Sequence, residues 1–315
     1  LFDKNRVVSQ LHWGGGTPTF ISDDQMSALM DCTRQHFNLL DDDTGDYSIE
    51  IDPREVTPAK IGHLRKLGFN RMSFGVQDFD PLVQQAVNRV QSFTQTYEAV
   101  MAARDNGYHS INIDLIYGLP HQNVASFSQT LDKVLELSPD RLSVFNYAHL
   151  PDLFKVQKQI DSSQLPNAAT KLAIFQLIIE RLSQAGYVYI GMDHFAKPDD
   201  ELAIAQREGK LHRNFQGYST QAECDLLAFG ISSIGKVDDC YSQNVRTLDE
   251  YYASLDSGHL PVLRGLQLDK DDLLRRELIG ELMCQFSLKT KTFAGNHQID
   301  FDSYFKTEIE ELKGL

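Results

Sequence analysis

The sequence predicts an α/β protein, built from βα units around a parallel sheet or barrel and followed by a mostly helical region at its carboxyl end. Strand-like and helix-like patterns alternate over the first two thirds of the 315 residues, and beyond about Lys270 the pattern becomes helical and charged. With 42% apolar and 23% charged residues, the chain can bury a sizeable core.

Residues 7–13 open the series as a strand. Ser22 with Gln25 three positions on forms a capping box, after which Met26, Leu29, Met30 and Phe37 share one helical face. Residues 47–51 read as the next strand, followed by Thr57-Pro58 as cap and first helical residue and by Gly68 as the stop. A third strand at 71–75 precedes a helix striped by Phe93, Tyr97, Val100 and Met101 and ended by Asn106-Gly107. Residues 110–117 and 141–146 are strands on either side of a helix striped by Phe127, Leu131, Val134 and Leu135. Leu172, Phe175, Ile179 and Leu182 mark a longer helix ended by Gly186, and 187–192 reads as a further strand. Residues 193–218 are polar and irregular, too long for an idle connector, and are expected to form a substrate-side loop. Leu273, Leu274, Leu278, Leu282 and Met283 stripe a helix in the last region, which sets the expected domains at 1–268 and 269–315.

Subtracting 44 acidic from 30 basic residues leaves a net charge of −14, which excludes sequence-independent attraction to nucleic acid or anionic lipid. An anionic substrate needs a local basic pocket. No apolar run reaches the roughly 18 residues of a membrane span, and the first residues lack the apolar core of a secretory signal, so the chain reads as cytoplasmic. Cys32, Cys224, Cys240 and Cys284 have spacings of 192, 16 and 44, which match no zinc, haem-attachment or redox pair, and no metal ligands are assigned.

In parallel βα folds, ligands sit at the carboxyl ends of the strands. Here those ends carry Gly14-Gly15-Gly16-Thr17-Pro18, Glu50 and Asp52, Gln77-Asp78, Asp114 with Tyr117-Gly118-Leu119-Pro120, and Asn146-Tyr147-Ala148-His149. Three glycines expose bare backbone to a ligand or make a flexible turn, and the lysine of a P-loop is missing. Glu50 and Asp114 are costly within strands unless partnered, which suits them to accept from ribose hydroxyls or an ammonium group, or to hold a neighbouring loop. Arg89 either clasps a carboxylate bidentately or is an exposed arginine. His149 and His194 follow strands, where packed side chains and chemistry are both open. No Gly-x-Ser-x-Gly elbow or His-Glu-x-x-His helix occurs.

At these residues the chain resembles the oxygen-independent coproporphyrinogen III oxidases (dehydrogenases), radical S-adenosylmethionine enzymes of haem synthesis. The resemblance runs through Leu11-His12-Trp13-Gly14-Gly15-Gly16-Thr17-Pro18-Thr19, Ser48-Ile49-Glu50-Ile51-Asp52-Pro53-Arg54-Glu55, Gly75-Val76-Gln77-Asp78-Phe79 and Asn112-Ile113-Asp114-Leu115-Ile116-Tyr117-Gly118-Leu119-Pro120. These four stretches are shared with several radical enzymes. The stretches from Asp140 to Pro151, from Gly191 to Ala196 and from Leu211 to Tyr218 resemble the oxidases specifically.

The resemblance implies a partial (β/α)6 TIM-like barrel of the radical SAM type with added strands, and a truncated helical carboxyl-terminal domain. It also implies a 4Fe-4S cluster and two S-adenosylmethionine molecules at the barrel mouth. In that family the cluster hangs on a Cys-x-x-x-Cys-x-x-Cys segment that this sequence lacks, so the chain is expected to be trimmed at both ends and inactive by itself. Carried over by resemblance, the S-adenosylmethionine contacts fall on Gly15, Gly16, Thr17, Glu50, Gln77, Arg89, Asp114, Ala148 and Ile234. Ile234 also lies in a segment of small residues that reads as packing.

The implied reaction removes the carboxyl groups of two propionates of coproporphyrinogen III, giving protoporphyrinogen IX, through a 5′-deoxyadenosyl radical. It needs an electron donor for the cluster and an unidentified electron acceptor; a monomer is expected, and no catalytic residue is assigned. Lys197, Arg207, His212 and Arg213 are the candidate cations for the substrate's carboxylates. A haem chaperone built on the same barrel is the alternative, and a cofactor-free (β/α) lyase is a third reading.

Overall fold

The computed structural model describes residues 3, 5–222 and 224–314. They fall in two units, Leu1–Asp200 and Glu201–Leu315. In chain order the first unit contains β1 (Val7–Val8), β2 (Gln10–Trp13), α1 (Asp23–His36), β3 (Asn38–Leu39), β4 (Asp46–Ile51), α2 (Pro58–Leu67), β5 (Arg71–Gln77), α3 (Pro81–Ala86) and α4 (Phe93–Asp105). It continues with β6 (Ser110–Tyr117), α5 (Val124–Leu137), β7 (Arg141–Asn146), α6 (Ala168–Gln184), β8 (Val188–Gly191) and β9 (His194–Ala196). One seven-stranded sheet runs β2-β4-β5-β6-β7-β9-β8. Its first five strands are parallel, and β9 joins β7 and β8 antiparallel.

Local signals act where the sequence places them. Ser22 and Gln25 cap α1 reciprocally, Thr57 accepts from the Lys60 N–H with Pro58 first in α2, and Gly68 ends that helix at φ 109°. Along the central strands residues alternate between faces. Ile49, Ile51, Met72, Phe74, Val76, Ile111, Ile113, Leu115, Leu142 and Val144 are buried in one core with Met30 of α1, Leu64 of α2, Val100 of α4, Leu131 of α5 and Ile178 of α6. The opposite face carries Ser48, Glu50, Ser73, Asn112, Asp114 and Ser143. That polar face is what a barrel interior needs if it is to hold a ligand instead of packing shut.

Charge pairs gather at the amino ends of these strands. Arg65 Nη2 and His109 Nε2 lie 2.5 and 2.9 Å from the Asp43 carboxylate, Arg71 Nε lies 2.5 Å from Asp46, Arg141 Nε lies 2.8 Å from Asp200, and Arg34 pairs with Asp41.

Several expectations are corrected. The strand expected at 7–13 is two, because β1 pairs with β3 outside the main sheet. The strand expected at 71–75 continues to Gln77. Leu29, Tyr97 and Leu172 are exposed, and the fully buried line of α6 is Ile174, Ile178 and Leu182. The segment 193–218 is largely regular, with β9, then α7 (Glu201–Arg207), and the hairpin β10 (His212–Asn214) and β11 (Gly217–Ser219). Elements of three residues are too short to display a period.

The second unit contains α7, β10 and β11, then β12 (Ile234–Val237), β13 (Cys240–Asn244), α8 (Leu248–Asp256), β14 (Val262–Gln267) and the helices α9 (Lys270–Gln285), α10 (Thr290–His297), α11 (Phe301–Tyr304) and α12 (Lys306–Lys313). β12, β13 and β14 form an antiparallel sheet, and the last helices bury Leu274, Phe293 and Phe305 together. The boundary expected at 268/269 thus falls inside this unit, where β14 hands over to α9. Among the described residues no helix is long and apolar enough to cross a membrane.

Candidate active site

At the carboxyl end of β2 the chain turns through Gly14, Gly15 and Gly16, each glycine for its own reason. Gly15 and Gly16 adopt φ 78° and 59°, where side chains are strained. Gly14 is confined by its neighbours: a Cβ there would lie 2.3 Å from His12 Nε2 and 2.9 Å from Glu50 Oε1. The turn delivers the Gly15 N–H to Glu50 Oε2 at 3.0 Å, and His12 Nε2 stands 3.4 Å from Glu50 Oε1. The other His12 nitrogen is fixed 2.8 Å from Ser48 Oγ. The His12 contact, helped by the Gly15 N–H, holds the Glu50 carboxyl below its ordinary pKa against the effect of burial.

Asp114 sits deeper on the polar face. Ser73 Oγ and Asn112 Nδ2 donate to its two oxygens at 2.8 and 2.7 Å. Burial raises its pKa despite those hydrogen bonds. Between the two carboxylates, β5 carries a bulge at Gly75–Gln77, and Gln77 adopts φ 69°, an uncommon conformation for a non-glycine residue that re-aims the strand end.

Arg89, just past α3, reaches back to this bulge. Its Nη2 donates to the Gly75 carbonyl at 2.6 Å and its Nη1 lies 3.1 Å from Asp52 Oδ2. Asp52 also receives Arg54 Nε at 3.0 Å and Nη2 at 2.7 Å. Burial lowers the Arg89 pKa, and its Nε is buried with no hydrogen-bond partner among the described residues. Glycine at 75 is needed here too, since a Cβ would stand 3.0 Å from Gln77 Nε2 and 3.2 Å from Arg89 Nη2.

Gly16, Thr17, Glu50, Gln77, Arg89 and Asp114 line one cavity of about 150 Å³, with Pro18, Ile51, Asp52 and Gly75. Sites that envelop a drug-sized ligand hold ~300–1,000 Å³, so this one can seat only part of a nucleoside-sized molecule. Its groups can receive hydroxyl and ammonium donors at the two carboxylates and present a guanidinium to a carboxylate. Gly15 contributes through Glu50. Ala148 follows β7 outside the cavity, exposed, with its carbonyl accepting from Gln157 Nε2 at 3.1 Å. Ile234 begins β12 in the second unit.

The candidate cations divide between the two units, Lys197 in the first and Arg207, His212 and Arg213 in the second. Lys197 lies at the wrong end of the sheet: β9 runs antiparallel to β7 and returns Lys197 to the amino ends, where its Nζ meets the Ser138 carbonyl at 3.0 Å and Asp140 Oδ1 at 3.2 Å. Arg207 is exposed in the last turn of α7. His212 and Arg213 are half-buried in β10, and the Arg213 guanidinium lies 4.7 Å from the Tyr218 ring centre, across the hairpin. His149 Nδ1 stands 3.2 Å from Tyr147 Oη, and His194 packs edge-on to Phe145.

The sequence reading assigned no role to His12, Ser73, Asn112 or Asp52. The available signal was parity, since polar residues occupy alternate positions in strands otherwise made of Ile, Met, Phe and Leu.

Residues 2–134 match the radical SAM superfamily. The oxygen-independent coproporphyrinogen III oxidase of Pseudomonas aeruginosa is 55% identical over 302 residues, 96% of this chain and 66% of that protein. The enzyme of the same name from Synechocystis is 50% identical over all of this chain and 68% of its own length. The solved coproporphyrinogen III oxidase of Escherichia coli, described as a radical SAM enzyme, superposes with a TM-score of 0.94 at 50% identity, over 97% of this chain and 70% of that one. The chain belongs to the oxygen-independent coproporphyrinogen III oxidases. It spans about two thirds of the length of the curated oxidases it matches. Membership fixes the fold as the radical SAM α/β fold and makes S-adenosylmethionine and a 4Fe-4S cluster the family's cofactors. The haem-chaperone alternative finds no support: the Pseudomonas and Escherichia relatives carry the oxidase's name.

Proposed function

We propose that the protein converts two propionates of coproporphyrinogen III to the vinyl groups of protoporphyrinogen IX, each propionate losing carbon dioxide, a hydrogen atom and an electron. The names of the relatives support the substrate. The observation that carries the cofactor's place is the cavity where Glu50, Asp114 and Arg89 meet beside the bare backbone of the glycine turn.

Bound S-adenosylmethionine supplies the carbon radical that takes the hydrogen atom. This chain's part is to hold it. In the proposal Asp114 and Glu50 accept from its hydroxyl and ammonium donors, the backbone at Gly15, Gly16 and Thr17 lies along it, Gln77 borders it, and Arg89 presents its guanidinium to the methionyl carboxylate. The buried, unpartnered Arg89 Nε is a donor suited to such an acceptor. Two cofactor molecules per site remain part of the proposal, as do contacts from Ala148 and Ile234. The cluster is different: among the described residues no three Cys, His or acidic side chains are grouped to hold a metal ion, and the four cysteines form no disulfide, so no residue of this chain is assigned to it. An electron donor and an acceptor complete the proposed partners.

The test is S-adenosylmethionine binding, by calorimetry, to the full-length enzyme. Losing a charge-assisted hydrogen bond costs roughly 1.5–3 kcal/mol, so Asp114→Asn and Arg89→Ala should each weaken binding about 10- to 100-fold. Unchanged affinity in both removes them from the site. A pH series adds a second readout. The carboxylate form of Asp114 is the acceptor and burial raises its pKa, so affinity should decline on acidification at a higher pH than an ordinary aspartate would cause. In Asp114→Asn that decline should vanish.

A further inference from the structure

We propose that Lys171 is an anchor for a carboxylate of the substrate. The assignment rests on the substrate reading above. Lys171 is the fourth residue of α6, half-buried, and stands beside the carboxyl ends of β6 and β7. Its Nζ donates to the Tyr147 carbonyl at 3.3 Å, and a Cβ on Gly118, which follows β6 at φ 89°, would lie 2.9 Å from Lys171 Cε and 3.2 Å from its Nζ. Glycine at 118 thus leaves room for the ammonium group. Among the described residues Lys171 has no carboxylate partner, and one neutral carbonyl uses one of its three donors.

The sequence places this charge against local preference. The first turn of a helix disfavours a cation, and partial burial without a counter-ion adds to that cost. Such a departure from local rules is expected where function demands it. The two arginines beside the ends of β4 and β5 are already matched, since Arg54 and Arg89 share Asp52. The same rim offers an apolar surface. The turn after β7 exposes Leu150, Leu153 and Phe154, and Gln157 pins it by donating to the Ala148 carbonyl and accepting from the Leu150 N–H. A tetrapyrrole that bears carboxylates on an apolar body matches a cation beside such a surface.

The experiment uses full-length enzyme and two fluorescent probes, coproporphyrin III and its tetramethyl ester, which keeps the ring and lacks the charges. Lys171→Met should weaken binding of the acid about 10- to 100-fold, leave the ester's affinity as in wild type, and leave S-adenosylmethionine binding unchanged. Lys171→Arg should restore part of the acid's affinity, which a purely structural role would not require. Wild-type affinity of Lys171→Met for the acid overturns the anchor, as does equal weakening of acid and ester. A wild-type enzyme that binds S-adenosylmethionine but neither probe overturns the substrate reading, and the anchor with it.

Discussion

A single methyl group at position 14 is expected to weaken cofactor binding sharply while the fold stands. In Gly14→Ala the new Cβ meets His12 Nε2 at 2.3 Å and Glu50 Oε1 at 2.9 Å, both far ends of side chains, so these move and the backbone does not. His12 then leaves its place beside Ser48, and Glu50 leaves the Gly15 N–H and turns from the cavity. Glu50 is a proposed contact to the ligand, and losing a charge-assisted hydrogen bond costs roughly 1.5–3 kcal/mol, so affinity for S-adenosylmethionine should fall about 10- to 100-fold. Calorimetry on the full-length variant measures the loss, and thermal unfolding should differ little from wild type. Adding His12→Ala removes the closest conflict and should recover part of the affinity. Wild-type affinity in Gly14→Ala would show that the turn does not set the site.

The second large effect is expected on stability. Asp52 is 9% exposed and answers both Arg54 and Arg89. Removing one partner of a largely buried charge pair costs about 3 kcal/mol, because the other charge is left without compensation. Asp52→Ala should therefore lower the melting temperature of the first unit by roughly 6–12 °C, and Asp52→Ala with Arg89→Ala should lose less than the sum of the single variants. The pH dependence carries a sign. Burial works to raise the Asp52 pKa, but the hydrogen bonds from Arg54 and the charge of Arg89 outweigh it and hold the carboxyl below its ordinary value. Its stabilisation is accordingly full above the unfolded-state pKa and is lost as pH falls through the lower folded-state value. The variant should lack that acid-side loss. Additive variants with wild-type acid sensitivity would refute the pairing.

These two sites also mark what the sequence makes legible. Strands β6 and β7 lie where the pattern puts them, because each is a period-two run bounded by clear turn or cap residues. The glycine turn, Glu50, Gln77, Arg89 and Asp114 were readable as strand-end residues, and they line or border one cavity. What escaped depends on partners distant in the chain. Arg89, which the sequence offers either to a ligand's carboxylate or to solvent, also holds Asp52, a pairing across 37 positions that no local pattern announces. Lys197 is a candidate as a cation of the 193–218 segment, but three residues of β9 reveal neither that they form a strand nor that it runs backwards. Lys171 lies in a helix whose apolar stripe is the dominant local signal.

The charge pairs at the amino ends of the strands, set opposite the cavity, have a consequence for how this protein can vary. Asp43 with Arg65 and His109, Asp46 with Arg71, and Asp200 with Arg141 stitch neighbouring segments together at one rim, while Glu50, Asp114 and Lys171 occupy the other. Substitutions at Glu50, Asp114 or Lys171 that retune what is bound therefore fall away from these pairs, and substitutions that strengthen the pairs fall away from the cavity, while Asp52 and Arg89 serve both demands at once. Away from the Asp52–Arg89 pair, selection for chemistry and selection for durability can proceed on the same seven strands without obstructing each other.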